Sequence, residues 1–377
     1  MKIKYIGYYH TNQTTDAYIS PAAVEKMTYI ADSLEKNGYE VEIISLSGIG
    51  KKAFNFRISE ENKRKIIYLS SLPRTNGLFR FINNWWLQFG LFCYLMRYAK
   101  KNDILLIYHS VAYAHIWRII QKLKKCIICL EVEEIYQDAQ ELGNRHKKRE
   151  YQAFEWADSY IFSTNLLEEK LNAHHKKQYI IVHGNYKVQE EKANIFVDDY
   201  IHVVYAGTFN QKKGGAIMAL EAGKYLGRNY HLHIIGFGTK KEIDDLIQKV
   251  HENSRTAQCK ITYDGCKMGE EYIQFIQSCH VGLSTQKSDN ELNDTSFPSK
   301  ILSYLSNDLN VVTGTIKVVQ ESAIGDIIFY YTTDEPNEIA GAIEIAAQRV
   351  ERSGKKRIYE LDRSFVTELG KMFEKLR

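Results

Sequence analysis

Two short stretches of this 377-residue sequence put a cation where a helix already attracts anions. In "TFNQKKGGAIMAL", Lys213 precedes Gly214 and Gly215 at the start of an apolar, helix-length run. In "TSFPSKILSYL", Lys300 falls in what the pattern predicts as the first turn of another helix, just after Phe297 and Pro298. A helix N-terminus carries partial positive charge and unpaired N–H groups, so a lysine there sits at the wrong end unless an anion joins it. Glycines add close backbone approach. A diphosphate held by two lysines and two helix starts satisfies both stretches; the plain alternative is lysines in solvent and a turn at Gly214–Gly215.

Other candidate groups lie in the first half. His109 ends the apolar run "DILLIYHS", where a histidine is either structural or aimed at a ligand. Glu131, Glu133 and Glu134 end the next run, "LEVEEIYQD"; carboxylates at a strand end bind hydroxyls or assist proton removal, or else face solvent. Cys126 and Cys129 form a C-x-x-C inside an apolar strand-like run, where odd spacing sends the thiols to opposite faces, so they read as structural. No other His/Cys group has ligand spacing, so no metal site is expected. "GFGTKK" has a lone G-x-G, weak support for a nicotinamide cofactor.

Positioning these groups requires elements. "KIKYIGYY", "EVEIISLS", "KIIYLS", "DILLIYHS", "CIICLEV", "SYIFSTN" and "YIIVHGN" read as strands, interleaved with helical stretches. The pattern lapses around "YKVQEEKANIFVDDY" and restarts with "HVVYAGT", "HLHIIGFG", "CKITYDG", "VGLSTQ" and "NVVTG", again separated by helices. This is the rhythm of an α/β chain with two doubly wound, Rossmann-like parallel-sheet domains facing across a cleft. The expected domains are 1–192 and 198–357, with a terminal helix over 358–377 packing back on the first.

At 44% hydrophobic residues, the chain buries a real core. No apolar run reaches the roughly 18 residues that span a bilayer, and scattered cysteines are no disulfide scaffold, so a cytoplasmic protein is expected. Lys plus Arg against Asp plus Glu is 28 to 21 over residues 1–197 and 22 to 25 beyond, a modest excess with no nucleic-acid motif. The basic residues flank "GLFRFINNWWLQFGLFCYLMRYAKK". Trp85 and Trp86 there belong either to a lipid or acceptor contact at the inner membrane face or to a buried helix, and the aromatic content favours burial.

"VVYAGTFNQKKGG", "LHIIGFG", "ITYDGCKMGEEYIQFIQSCHVGLSTQ" and "FPSKILSYLSNDLNVVTG" occur in an order and spacing that resembles the family-four retaining glycosyltransferases of GT-B fold, most closely those that build bacterial capsular or other surface polysaccharides. The resemblance covers most of the second half well and the first half loosely. It implies a UDP- or GDP-sugar donor, a glycan or lipid-linked acceptor, no metal and no other cofactor. Residue by residue, it implies donor contacts from Gly207, Lys213, Gly214, Asp264, Gly265 and the run Thr295, Ser296, Phe297, Pro298, Ser299, Lys300. His109 would reach the transferred sugar, and Glu131, Glu133, Trp85 and Trp86 the acceptor side.

The sequence also departs from that family. Thr208 stands where the family has a phosphate-binding arginine, and Thr295 and Ser303 stand where it has two glutamates, for the donor sugar and the ribose. Asp294 or Glu291 would substitute for the first, and the N-terminal glycine-rich loop is absent. These losses keep two other readings open: a non-catalytic binding subunit on the same fold, and a nucleotide-sugar epimerase.

Overall fold

The computed structural model describes residues 2–10, 21–46, 55–61, 64–73, 77–136, 144–209, 214–286 and 295–376. The chain divides into two compact units, Met1–Asn185 with Arg363–Arg377, and Tyr186–Asp362.

The first unit is built on β1 (Lys2–Gly7), β2 (Glu40–Ser45), β3 (Arg57–Glu61), β4 (Arg64–Tyr68), β5 (Ile104–Tyr108), β6 (Ile127–Val132), β7 (Ser159–Phe162) and β8 (Gln178–Ile181). Their order is β3-β4-β2-β1-β5-β6-β7-β8, parallel throughout except for the β3–β4 pair. Strand order reverses between β1 and β5, so the loops leaving those strands splay and open a crevice. The central strands are apolar on both faces because helices cover both, as Ile104 to Ile107 show by being fully buried. The last helix, Gly354–Lys375, brings Phe365 onto Tyr29 with ring centroids 5.4 Å apart and Phe373 edge-on to Tyr39.

The second unit carries β9 (Ile201–Thr208), β10 (Tyr230–Phe237), β11 (Lys260–Tyr263), β12 (Val281–Ser284), β13 (Asn310–Gly314) and β14 (Phe329–Tyr331). All are parallel, in the order β11-β10-β9-β12-β13-β14, with the reversal between β9 and β12. The segment read from sequence as a linker belongs to this unit: Gln189 N–H donates to the Ser306 carbonyl, Lys192 N–H to Gln277 Oε1 and Ile195 N–H to Ser278 Oγ. Its charge reflects an extended strap on a protein surface, and the boundary falls at Tyr186 instead of after residue 192.

Tyr304, on the helix Ser299–Ser306, ties that helix to the reversal point. The β9–β12 ladder ends at the pair Tyr205 and Leu283, and there the Tyr304 hydroxyl accepts from Ala206 N–H at 2.8 Å and donates to the Leu283 carbonyl at 3.2 Å. Gly282 makes room, since a Cβ there would lie 2.5 Å from the Tyr304 ring. Tyr304→Phe leaves a buried N–H and carbonyl unpaired and is expected to cost about 1–2 kcal/mol, read as a lower urea midpoint.

Candidate functional site

The helix starts carrying the two lysine motifs follow β9 and β12, the two strands that flank the reversal in the second sheet. Pro298 caps the helix Ser299–Ser306 with extended dihedrals and its carbonyl accepts from Ile301 N–H, so Lys300 is the second helical residue. Its Nζ lies 3.9 Å from the centre of the Tyr205 ring. A Cβ added to Gly207 would fall 2.6 Å from both Cε and Nζ of Lys300, so the absent side chain at 207 is what lets the ammonium lie along the β9 backbone. Thr208, the next residue, is exposed and its carbonyl accepts from the Tyr205 hydroxyl at 3.3 Å.

Gly214 has φ 65°, a left-handed conformation that glycine adopts at little cost, and it starts the helix Gly215–Gly223. Gly215 lies against the loop after β12: Thr285 Oγ1 donates to its carbonyl at 2.7 Å, and a Cβ at 215 would come within 2.4 Å of the Thr285 carbonyl oxygen. The structure thus brings Gly207, Gly214, Gly215 and Lys300 around Tyr205, an aromatic floor with a cation above it and a helix N-terminus beside it. Backbone N–H groups, a helix field and an ammonium in one place are the ingredients of an anion site, which makes this the candidate. Lys213, Glu291 and Asp294 lie outside the described residues.

Other donor candidates are distributed around this centre. Phe297 is buried, while Thr295, Ser296, Pro298 and Ser303 are half-buried and Ser299 is exposed. Ser303 Oγ is 3.0 Å from the Tyr272 hydroxyl, so part of its hydrogen-bonding capacity is used within the unit. The Asp264 carboxylate is occupied, receiving hydrogen bonds from His233 at 2.9 Å and Thr262 at 2.7 Å. Burial alone would raise its pKa, but those donors outweigh it and hold the carboxyl below its usual range. Both donors reach Oδ2, which fixes the orientation of the carboxylate. Gly265 has φ 79° and its carbonyl accepts from Gly236 N–H at 3.0 Å; a Cβ on Gly236 would come 1.8 Å from the Gly207 carbonyl oxygen. The "GFG" stretch therefore serves close backbone packing between β9 and β10.

In the first unit, His109 follows β5 at that sheet's reversal point. It is buried, and its Nε2 lies 2.8 Å from Glu150 Oε1, while Tyr136 stacks on the ring at 5.3 Å and Phe154 packs at 4.6 Å. Sequence reasoning missed Glu150. Its signal was an acid on the apolar stripe it shares with Ala153, Phe154 and Ala157, all buried with it. Glu131 is fully enclosed and receives a hydrogen bond from Tyr5; burial, reinforced by the charge of Glu133, pushes it up to about 8 against the opposing Lys26 and Tyr5. An enclosed Glu131 does not reach an acceptor here, because burial at the sheet centre outweighs its position near the strand end. Glu133, 24% exposed and 2.5 Å from Lys26 Nζ, does meet solvent.

Burial raises Cys126 to about 11 and Cys129 to about 12, so neither is a thiolate near neutrality, consistent with a structural role. The expectation of burial at the tryptophans is corrected. Trp85 is 61% and Trp86 45% exposed, with Leu78, Phe79, Phe81, Ile82 and Phe89 also exposed. The helix Gly77–Tyr98 is apolar nearly all round, and only the face bearing Asn83, Leu87, Leu91, Tyr94 and Leu95 finds a place in the core.

Neither a family model nor a curated protein matches the chain. Solved structures do. A sucrose-phosphate synthase from Thermosynechococcus elongatus is similar over 100% of this chain and 98% of its own, at 13% identity and a TM-score of 0.70. A UDP-forming α,α-trehalose-phosphate synthase from Burkholderia xenovorans, in complex with glucose-6-phosphate, covers 100% of each chain at 12% identity and a TM-score of 0.68. A trehalose-6-phosphate protein of E. coli bound with UDP-2-fluoro glucose covers 100% of this chain and 99% of its own, at 10% identity and a TM-score of 0.68. These neighbours are GT-B glycosyltransferases, and the chain has their fold, two Rossmann-like parallel-sheet units.

Proposed function

We propose that this protein is a retaining glycosyltransferase that moves a sugar from a UDP- or GDP-sugar to a hydroxyl of a glycan or lipid-linked oligosaccharide, in the making of a bacterial surface polysaccharide. The observation that carries the reading is the anion site in the second unit, with Lys300 laid across Gly207 and Tyr205 beside the Gly214–Gly215 helix start. That nucleotide sugars and sugar phosphates are bound in structures of the same fold supports it.

In this reading the donor diphosphate lies on the anion site, joined by Lys213. The bond between the anomeric carbon and the diphosphate oxygen breaks, its electron pair going to that oxygen, where Lys300 and the helix start stabilise the new charge. The acceptor oxygen bonds to the same face of the anomeric carbon and its proton passes to a phosphate oxygen. The two lysines supply the cationic charge, so the step runs without a metal ion. Glu133 with Lys26 offers acceptor contacts in the first unit, and His109, buried and fixed by Glu150, would orient the transferred sugar only after its ring is uncovered. Thr295 and Ser303 stand in for the family's glutamates with neutral hydrogen bonds, weaker than charged ones.

The test is thermal stability against UDP-, GDP- and CMP-sugars without added metal, followed by transfer assays with the sugar that stabilises. One nucleotide class is expected to raise Tm by several degrees. The missing glutamates and Thr208 favour one rival, a non-catalytic glycan-binding subunit; stabilisation by none of the sugars makes that rival the better reading.

No helix among the described residues is long and apolar enough to cross a membrane. The exposed aromatic half of the helix Gly77–Tyr98, with Arg80 on it, suits the surface of an anionic bilayer at its inner face, which would bring a lipid-linked acceptor to the first unit. Trp85→Ala with Trp86→Ala is expected to lower co-sedimentation with anionic vesicles at least about five-fold. Stability should change little, since both side chains are exposed.

A further inference from the structure

Three histidines of the second unit crowd one face of its sheet. His202 on β9 stands opposite His231 on β10, and His233 follows two residues later, so all share a face toward the starts of those strands, away from the anion site at their ends. They are 2%, 5% and 1% exposed.

The hydrogen bonds around them fix where each proton sits. Asp264 Oδ2 is 2.9 Å from His233 Nδ1, and an ionised carboxylate only accepts, so a neutral His233 ring has its proton on Nδ1 and its Nε2 bare. Asp198 Oδ1, 2.8 Å from His202 Nε2, leaves His202 Nδ1 bare by the same reasoning. Thr262 donates its hydroxyl hydrogen to Asp264 Oδ2 at 2.7 Å and therefore accepts from His231 Nε2 at 2.9 Å, which leaves His231 Nδ1 bare. That buried nitrogen has no hydrogen-bond partner. The two other bare nitrogens, His202 Nδ1 and His233 Nε2, face each other at 2.9 Å. Two lone pairs at that distance repel unless a cation lies between them.

We propose that His202, His231 and His233 bind a divalent transition metal of the zinc class. One nitrogen from each lies within 4.8 Å of the others, and bonds of 2.0–2.1 Å in a tetrahedral site set nitrogens about 3.3 Å apart, so small ring movements close the set. Each ligand would have its other ring nitrogen held by an outer group, Asp198, Thr262 or Asp264, the arrangement that orients metal-binding imidazoles. An all-nitrogen donor set selects zinc, nickel, copper or cobalt over magnesium and calcium. Phe196 stacks over His202 at 3.9 Å and His233 at 4.9 Å, shielding the site. Because Asp198 and Phe196 lie on the strap preceding β9, the ion would pin that strap to the sheet, a structural role independent of glycosyl transfer. His280 is outside the set, since its Nδ1 accepts from His202 N–H at 3.0 Å.

The test uses the full chain, stripped with a chelator and equilibrated with Zn²⁺, Co²⁺ or Mg²⁺. Zn²⁺ and Co²⁺ are expected to bind at about one ion per chain, Mg²⁺ not at all, with Co²⁺ giving visible d–d bands and Zn²⁺ raising Tm by about 4 °C or more. His231→Gln and His233→Gln should each weaken binding beyond ten-fold, Asp264→Asn about ten-fold, and His280→Gln not at all. Should the ligand variants fail to fold, the Co²⁺ spectrum of the unaltered protein still decides. Absent bands at one equivalent, or equal binding by His231→Gln, overturn the site; an imidazolium in the histidine 15N spectrum would then identify the shared cation as a proton.

Discussion

Lys300→Ala is expected to abolish stabilisation by the nucleotide sugar and to lower kcat/KM by about 100- to 1000-fold, the range for losing one preorganised charge-stabilising donor. The size follows from where the ammonium sits. It lies on the Tyr205 ring face and against the backbone of Gly207, so it is held in place before any ligand arrives. A preorganised cation stabilises the departing diphosphate more than the bound donor, so kcat should fall further than KM rises. Gly207→Ala gives a second arm that keeps the charge. The new Cβ would sit 2.6 Å from Nζ, so the lysine must swing away, and a loss of about ten-fold or more is expected although Lys300 remains. Steady-state kinetics on both variants, beside circular dichroism to show that they fold, checks this. Lys300→Ala with kcat/KM within three-fold of the unaltered protein would sink the anion-site assignment.

Much of the fold was legible because parallel strands covered on both faces are continuous apolar runs, and twelve strand segments read from sequence correspond to β1, β2 and β4 to β13. What was missed lacked that signal. β3, "RISEE", is an antiparallel edge strand with polar residues on a solvated face, and β14 has three residues. The helix Pro336–Gln348 lay in a stretch where no element was read. At the candidate site, Lys300 and the glycines could be singled out because a cation and a flexible backbone at a helix start are visible as local sequence. Glu150 pairs with His109 across 41 positions, and the proton pattern joining Asp198, Thr262 and Asp264 to three histidines depends on strand register. Spacing within one strand does not encode register between strands. Hence the histidines showed no ligand spacing in sequence yet converge in the folded unit. The tryptophans erred the other way: aromatic content predicts burial only if a partner surface exists, and half of the helix Gly77–Tyr98 has none among the described residues.

Glu131→Gln should change how stability depends on pH more than it changes stability at low pH. In the folded protein, burial and the charge of Glu133 raise this carboxyl from 4.5 to about 8, with Lys26 and Tyr5 pulling the other way and Tyr108 packed nearby. Between those values the unfolded chain has released the proton and the folded chain still holds it. Stability therefore falls as pH rises from about 4.5 to about 8 and levels off above, since the unfolded state binds fewer protons across that window. The whole difference converts to roughly 5 kcal/mol, and relaxation around the carboxylate leaves about 2 kcal/mol as the expected size. Glutamine keeps an acceptor for the Tyr5 hydroxyl and cannot ionise. The variant should match the unaltered protein at pH 5 and exceed it by about 2 kcal/mol at pH 8.5, in urea unfolding series read at both pH values. Parallel pH curves for the two proteins would mean that Glu131 is as fully ionised in the folded protein as in the unfolded chain. The outcome also bears on the acceptor side of the first unit: a neutral Glu131 leaves Lys26 to Glu133, whereas an ionised one would set a second carboxylate beside Glu133 and compete for the same lysine.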